Sequence, residues 1–143
     1  MKFITITGID KAGKTTLINA FMEATGYEHY VIDRSPDTYC FFNVLRNRVK
    51  DPNQIDRYFE FNKKFKDVLD LAVLIYADPK DIRERFIEHD EPPLVGEFSV
   101  RDHMILLEDY FNIANYNNTL KLNTSFYSID ECVEMIKEKI NAT

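Results

Sequence analysis

A chain of 143 residues with 45% apolar side chains can bury one core, so a single domain over residues 1–143 is expected. With 29% charged residues, four Gly and five Pro, the composition excludes collagen-like, low-complexity and disordered classes. The net charge of −6 argues against broad non-specific nucleic-acid binding, which needs many Lys and Arg on one surface.

The half-apolar run Phe3-Ile4-Thr5-Ile6-Thr7 reads as a buried strand that stops at Gly8. It is too short and too polar for a signal peptide or a membrane span, so a cytoplasmic protein with no membrane partner is expected. From Lys14 a helix carries Leu17, Ile18, Phe21 and Met22 at helical spacing, and Gly26 supplies the residue that ends it. His29-Tyr30-Val31-Ile32-Asp33 reads as a second strand. Ser35-Pro36 places an N-cap before proline and opens a helix to about Arg48. Asp51-Pro52 repeats that start signal for a helix with Ile55, Tyr58, Phe59, Phe65 and Val68 as its apolar stripe.

Leu71-Ala72-Val73-Leu74-Ile75-Tyr76-Ala77 is continuously apolar, as expected of a central parallel strand covered on both faces. Asp78-Pro79 starts a helix to about Glu88, with Asp78 as its cap. The stretch His89 to Phe98 reads as a loop. Ser99-Val100-Arg101-Asp102 resembles a capping box for the helix with Met104, Ile105, Leu107, Tyr110 and Phe111. A strand Thr119 to Asn123 and a helix opened by Ser128-Ile129-Asp130-Glu131 complete the pattern. The expected class is α/β: a three-layer domain with a parallel sheet of about four strands, order 2-1-3-4, right-handed crossovers, and ligands at the carboxyl ends of the strands. Cys40 and Cys132, with no second pair and no zinc spacing around them, read as buried, inert thiols.

Gly8-Ile9-Asp10-Lys11-Ala12-Gly13-Lys14-Thr15 lies between a predicted strand and a predicted helix and has the Gly-x-x-x-x-Gly-Lys-Thr spacing. Its amides are expected to form an anion nest at a helix N-terminus. Lys14 is assigned to the β- and γ-phosphates of ATP, and the Thr15 hydroxyl to Mg²⁺. Thr16, the next residue, reads as a first-turn residue facing the core. Asp33, at a strand end, can hold a magnesium-bound water or accept a proton, and the planar guanidinium of Arg34 can bridge donor and acceptor phosphates. Arg85 and Arg101 flank the predicted loop, where a lid over the nucleotide and plain solvated arginines both stay open.

Residues 34–66 hold eight basic side chains (Arg34, Arg46, Arg48, Lys50, Arg57, Lys63, Lys64, Lys66) against four acids (Asp37, Asp51, Asp56, Glu60). This local +4 leaves −10 for the remainder. It suits a phosphate-bearing acceptor or a solvated helix face.

The loop Gly8 to Thr16 resembles the phosphate loop of thymidylate kinases, Gly-x-Asp/Glu-x-Ala-Gly-Lys-Ser/Thr-Thr, and Asp33-Arg34 is similar to that family's Asp-Arg motif. Thr38, Phe42 and Asn43 stand at the spacing of the Ser, Tyr and Gln that line the family's base pocket. Asp70 to Tyr76 and Ile129 to Val133 resemble its fourth strand and last helix. The resemblance implies a P-loop nucleotide kinase with Gly8, Asp10, Ala12, Gly13, Lys14, Thr15 and Thr16 around ATP. It places Asp10 at the acceptor sugar and Arg34 at the acceptor phosphate, and sets Lys11 where one subgroup has a catalytic arginine. One departure is large. The family has a further strand and two helices before the Asp-Arg strand, where this chain has only Gly26, Tyr27 and Glu28. The aromatic, basic segment 35–70, with Tyr39, Phe41, Tyr58 and Phe61, is the candidate replacement.

The leading expectation is transfer of the ATP γ-phosphoryl to a small-molecule nucleotide acceptor, a thymidylate-like deoxynucleoside monophosphate first. A kinase acting on a hydroxyl of a polynucleotide or modified base is an alternative, which keeps nucleic acid open as a partner. A catalytically silent ATP-binding interaction protein is another, and a homodimer also stays open.

Overall fold

The computed structural model describes residues 1–9, 11–45, 48–88 and 100–142. Asp10, Arg46 and the stretch 89–99, with the predicted loop and Ser99 of the expected capping box, lie outside the described residues. In chain order the elements are β1 (Phe3–Gly8), α1 (Lys14–Ala24), β2 (Tyr30–Asp33), α2 (Pro36–Leu45) and α3 (Asn53–Phe65), followed by β3 (Leu71–Tyr76), α4 (Pro79–Glu88), α5 (Val100–Ala114), β4 (Thr119–Asn123) and α6 (Ile129–Asn141). The four strands form one parallel sheet in the order β2-β1-β3-β4, as the strand–helix alternation requires.

The apolar runs of β1 and β3 are central because helices cover both of their faces. Ile4, Ile6, Leu71, Ala72, Val73 and Ile75 have no exposed surface. On one side α1 and α6 pack against each other and the sheet; on the other, α5 packs on β3 with α2 and α3 beside it. The helical spacing of Leu17 and Phe21 puts both fully inside, which contributes roughly 1.5–3 kcal/mol for each side chain. At the last helix, Ser128 and Glu131 form a reciprocal capping box, which fixes where α6 departs from β4.

Several expectations change. The second helix is described to Leu45, residues 46 and 47 lie outside the described residues, and Arg48 is not helical, its N–H returning to the Asn43 carbonyl at 2.9 Å. The Ser35 hydroxyl does not cap α2; it bonds to the Asp37 carboxylate and lies 3.2 Å from the Thr38 hydroxyl. α3 ends at Phe65 rather than Val68. Asp78 does stand at the N-cap position of α4, where its carbonyl accepts the Ile82 N–H at 3.2 Å, but its carboxylate accepts from Asn123 at 3.2 Å and its N–H donates to Ser125 at 2.8 Å, tying the end of β3 to β4. Cys40 and Cys132 are free and buried, as expected. Among the described residues, no helix is long and apolar enough to cross a membrane.

Candidate functional site

The site is built where β1 and β2 end. Gly8 runs so close to β3 that an added Cβ would stand 2.6 Å from both the side chain and the carbonyl oxygen of Ile75, so only glycine lets the strands approach here. Beyond it, Ile9 is buried and anchors the start of the loop. Lys11 (φ 66°) and Gly13 (φ 94°) both adopt left-handed backbone, which alternates the direction of successive peptide groups. Two loop carbonyls are tied to neighbouring elements. Arg85 of α4 donates to the Lys11 carbonyl, and the Thr124 hydroxyl beyond β4 donates to the Ala12 carbonyl at 2.5 Å and contacts the Tyr76 carbonyl at 3.1 Å. The Ala12 N–H bonds back to the Ile9 carbonyl at 3.2 Å, which closes the turn ahead of Gly13. The first turn of α1 has neither a side-chain cap nor an acidic residue, which suits its N–H groups to an anion.

The parallel register Ile6↔Asp33 brings the end of β2 to this loop. Lys14, only 14% exposed, makes an ion pair with Asp33, whose carboxylate is 57% exposed. Arg34 also has left-handed backbone (φ 75°), and its N–H is held by the Ile6 carbonyl at 3.1 Å. Its guanidinium lies 4.6 Å above the ring of Phe42. A non-glycine residue in this region costs about 1–3 kcal/mol, so both Lys11 and Arg34 are held against a local preference.

These residues line a 340 Å³ cleft bounded by Ile9, Lys11, Gly13, Lys14, Thr15, Thr16 and Arg34. A second cleft of 450 Å³ joins it through Lys11, Gly13 and Thr16 and extends to Arg85, Thr124 and Tyr127. Together they offer an anion nest, two lysines and two arginines beside a groove large enough for a nucleoside. For a magnesium ion the donor set fits: the exposed Thr15 hydroxyl and the Asp33 carboxylate are hard oxygen donors, and such an ion draws its other ligands from phosphate and water.

The structure thus brings together Gly8, Ala12, Gly13, Lys14, Thr15, Asp33, Arg34, Lys11 and Arg85. Thr16 departs from its core-facing reading, since it is exposed and lines both clefts. Arg101 is not with Arg85. It borders a separate 310 Å³ groove between α5 and β3 with Met104 and Glu108. Thr38 has no exposed surface, and its hydroxyl is taken by Thr7 and Ser35, so it cannot line a ligand pocket. Phe42, 5% exposed, is the platform beneath Arg34, and Asn43 lines a different cleft, between α2 and α3.

Sequence reasoning did not find Thr124 or Tyr127; a polar residue just past the carboxyl end of a predicted parallel strand was the available signal. It also missed a buried network behind Arg34. The Tyr116 hydroxyl lies 2.6 Å from Asp37 Oδ1 and 2.7 Å from Asn62 Oδ1, and Ser35 donates to the same Asp37 oxygen. Burial pushes the Asp37 carboxyl above the usual carboxylate range, against the hydrogen bonds from Ser35 and Tyr116, and raises the Tyr116 phenol too. The network pins the first turn of α2, three residues from Arg34, to α3 and to the connection between α5 and β4.

No protein-family profile matches the sequence, and no curated protein matches it significantly. Solved structures do match. A deoxyadenosine kinase from M. mycoides with bound dCTP superposes with a TM-score of 0.67 over 99% of this chain and 100% of that one, at 16% identity. The YorR protein of Bacillus subtilis, in complex with phosphorylated GDP, gives 0.62 over 98% and 96%, at 18% identity. The fold is the one these two structures share. At such identities the likeness is one of backbone architecture, and the residues of this chain must carry any statement about chemistry. In this fold the Gly8–Thr15 loop and the Asp33-Arg34 pair stand side by side at the carboxyl edge of the sheet.

Proposed function

We propose that the protein is an ATP-dependent P-loop phosphotransferase that moves the γ-phosphoryl group to a deoxynucleoside monophosphate, with a thymidylate-like pyrimidine first. The observation that carries this reading is the single cleft shared by the Gly8–Thr15 loop, Lys14 and Arg34, with Asp33 on Lys14. The nucleotides bound to the two structural neighbours support a nucleotide as ligand of this fold.

Loop amides and Lys14 would take the β- and γ-phosphates in place of Asp33, and the freed carboxylate would turn to the metal shell or the acceptor. Mg²⁺, held through Thr15 and Asp33, would supply neutralising charge. Arg34, steadied on Phe42, would stand between donor and acceptor phosphates. Catalysis would rest on positioning and charge, as phosphoryl transfer requires. The neighbouring deoxyadenosine kinase favours a second acceptor class, a deoxynucleoside hydroxyl, for which Asp33 would serve as the base. Incubating the protein with labelled ATP and Mg²⁺ against nucleosides, monophosphates and oligonucleotides separates these readings. Transfer to a monophosphate, lost in Lys14→Ala and Arg34→Ala, is the expected result.

A further inference from the structure

A cleft of 720 Å³ opens between α2 and α3, along the edge strand β2. Its size lies in the range of small-molecule sites, about 300–1,000 Å³. Arg34 lines both this cleft and the phosphate-loop cleft, so a molecule filling one ends at the other. Tyr39 and Phe61 line it at 49% and 56% exposure, an aromatic surface left in water. Arg57 is the second cation of the lining, paired at the surface with Asp51 at 3.6 Å, and among the described residues that line the cleft none is acidic. That balance suits an anion.

Among the described residues, the amides in the cleft are partly spent. Asn43 donates to the Tyr39 carbonyl and to the Tyr58 hydroxyl, each at 2.8 Å, which occupies its NH₂ group and leaves its carbonyl. Gln54 accepts the Lys50 N–H at 3.2 Å, which leaves its NH₂ group. One acceptor and one donor between aromatic walls complement the edge of a heterocyclic base.

We propose that the α2–α3 cleft is the acceptor site, and that it holds a nucleoside monophosphate. The base lies against Tyr39 and Phe61 with its edge at Asn43 and Gln54, and the phosphate sits at Arg34, facing the loop. This rests on the kinase reading above. In the step so placed, an anionic oxygen of the acceptor phosphate forms a bond to the γ-phosphorus as the bond to the β–γ bridging oxygen breaks. The products are a nucleoside diphosphate and ADP, and no base is required.

The test is calorimetric titration of the whole protein with the four common deoxynucleoside monophosphates, thymidine and a short oligonucleotide. It is run on wild type, Tyr39→Ala, Phe61→Ala and Gln54→Ala, with a parallel titration by a non-hydrolysable ATP analogue and Mg²⁺. Tyr39 and Phe61 are exposed enough to truncate without opening the core. The expected result is binding of at least one monophosphate, weakened about tenfold or more by Phe61→Ala, with affinity for the ATP analogue unchanged to within about twofold. Lys14→Ala should show the reverse pattern. Wild type that binds no monophosphate, or binding indifferent to all three cleft substitutions, overturns the proposal. So does preference for the oligonucleotide over every monophosphate. A change of sedimentation in Phe61→Ala with nucleotide binding intact would make the cleft a contact between copies, and overturns it as well. Failure of the kinase reading has a different signature: no binding of the ATP analogue, whatever the cleft variants do.

Discussion

Replacing Lys11 separates strain from side-chain chemistry. At φ 66° its backbone lies where an L-residue pays about 1–2 kcal/mol. Lys11→Ala removes the ammonium, which stands 5.8 Å from the Phe86 ring, but keeps the Cβ and the strain. Lys11→Gly removes both and costs about 0.5–1 kcal/mol in chain entropy relative to Ala. The difference between the variants isolates the backbone term, and glycine should be more stable than alanine by about 0.5–1 kcal/mol. For a domain of this size that is a rise in Tm of about 2–4 °C. The chain has no Trp, so far-UV circular dichroism with a urea series is the assay. If the strain holds the loop amides inward, Lys11→Gly should also raise KM for ATP more than Lys11→Ala does. A glycine variant no more stable than the alanine variant would refute the strain argument.

Gly8→Ala forces a Cβ to 2.6 Å from the Ile75 carbonyl, and backbone has no rotamer to escape with, so a loss of about 1–3 kcal/mol in urea unfolding is expected, together with loss of ATP binding. Thr124→Val takes the hydroxyl from the Ala12 and Tyr76 carbonyls; a cost of about 1–3 kcal/mol and a higher KM for ATP should follow, measurable by melts and initial rates. Asp37 has a carboxyl pKa raised by burial above 3.8, so the native state binds more protons than the unfolded chain. Its destabilising contribution is therefore absent below pH 3.8, grows as pH rises, and is complete above the raised folded value. Asp37→Asn should flatten this part of the stability–pH curve in urea titrations, and an unchanged slope would remove Asp37 as its source.

Much of this site was legible because its parts are local. The Gly8–Thr15 spacing, the strand that precedes it and the helix that follows lie within one stretch of chain, and the uninterrupted run 71–76 named the central strand from composition alone. What escaped depends on which face of a helix meets which neighbour. Tyr39 and Phe41 are two positions apart on α2, about 200° around it, and one is 49% exposed while the other is 3% exposed. Both had been candidates for stacking on a base, and Phe41 instead packs edge-on to Phe42 and Tyr110. Thr38 matched a motif position in spacing, but its face of α2 turns to Thr7 of β1. Arg101 lies within an expected capping box, and nothing local says that α5 carries it to the β3 groove. Thr124 reaches the loop across more than a hundred residues of sequence, a contact no periodicity encodes.

The central claim is that the loop, Lys14 and Arg34 form one phosphoryl-transfer site. Its most direct measurement is single-turnover transfer from labelled ATP, with Mg²⁺ present, to each deoxynucleoside monophosphate. Labelled diphosphate should form with wild type, and Lys14→Ala and Arg34→Ala should each slow it by about 10²–10³ or more while circular dichroism stays native. Transfer to a monophosphate that survives Lys14→Ala, or no transfer to any acceptor from a wild type that binds ATP tightly, would contradict the account.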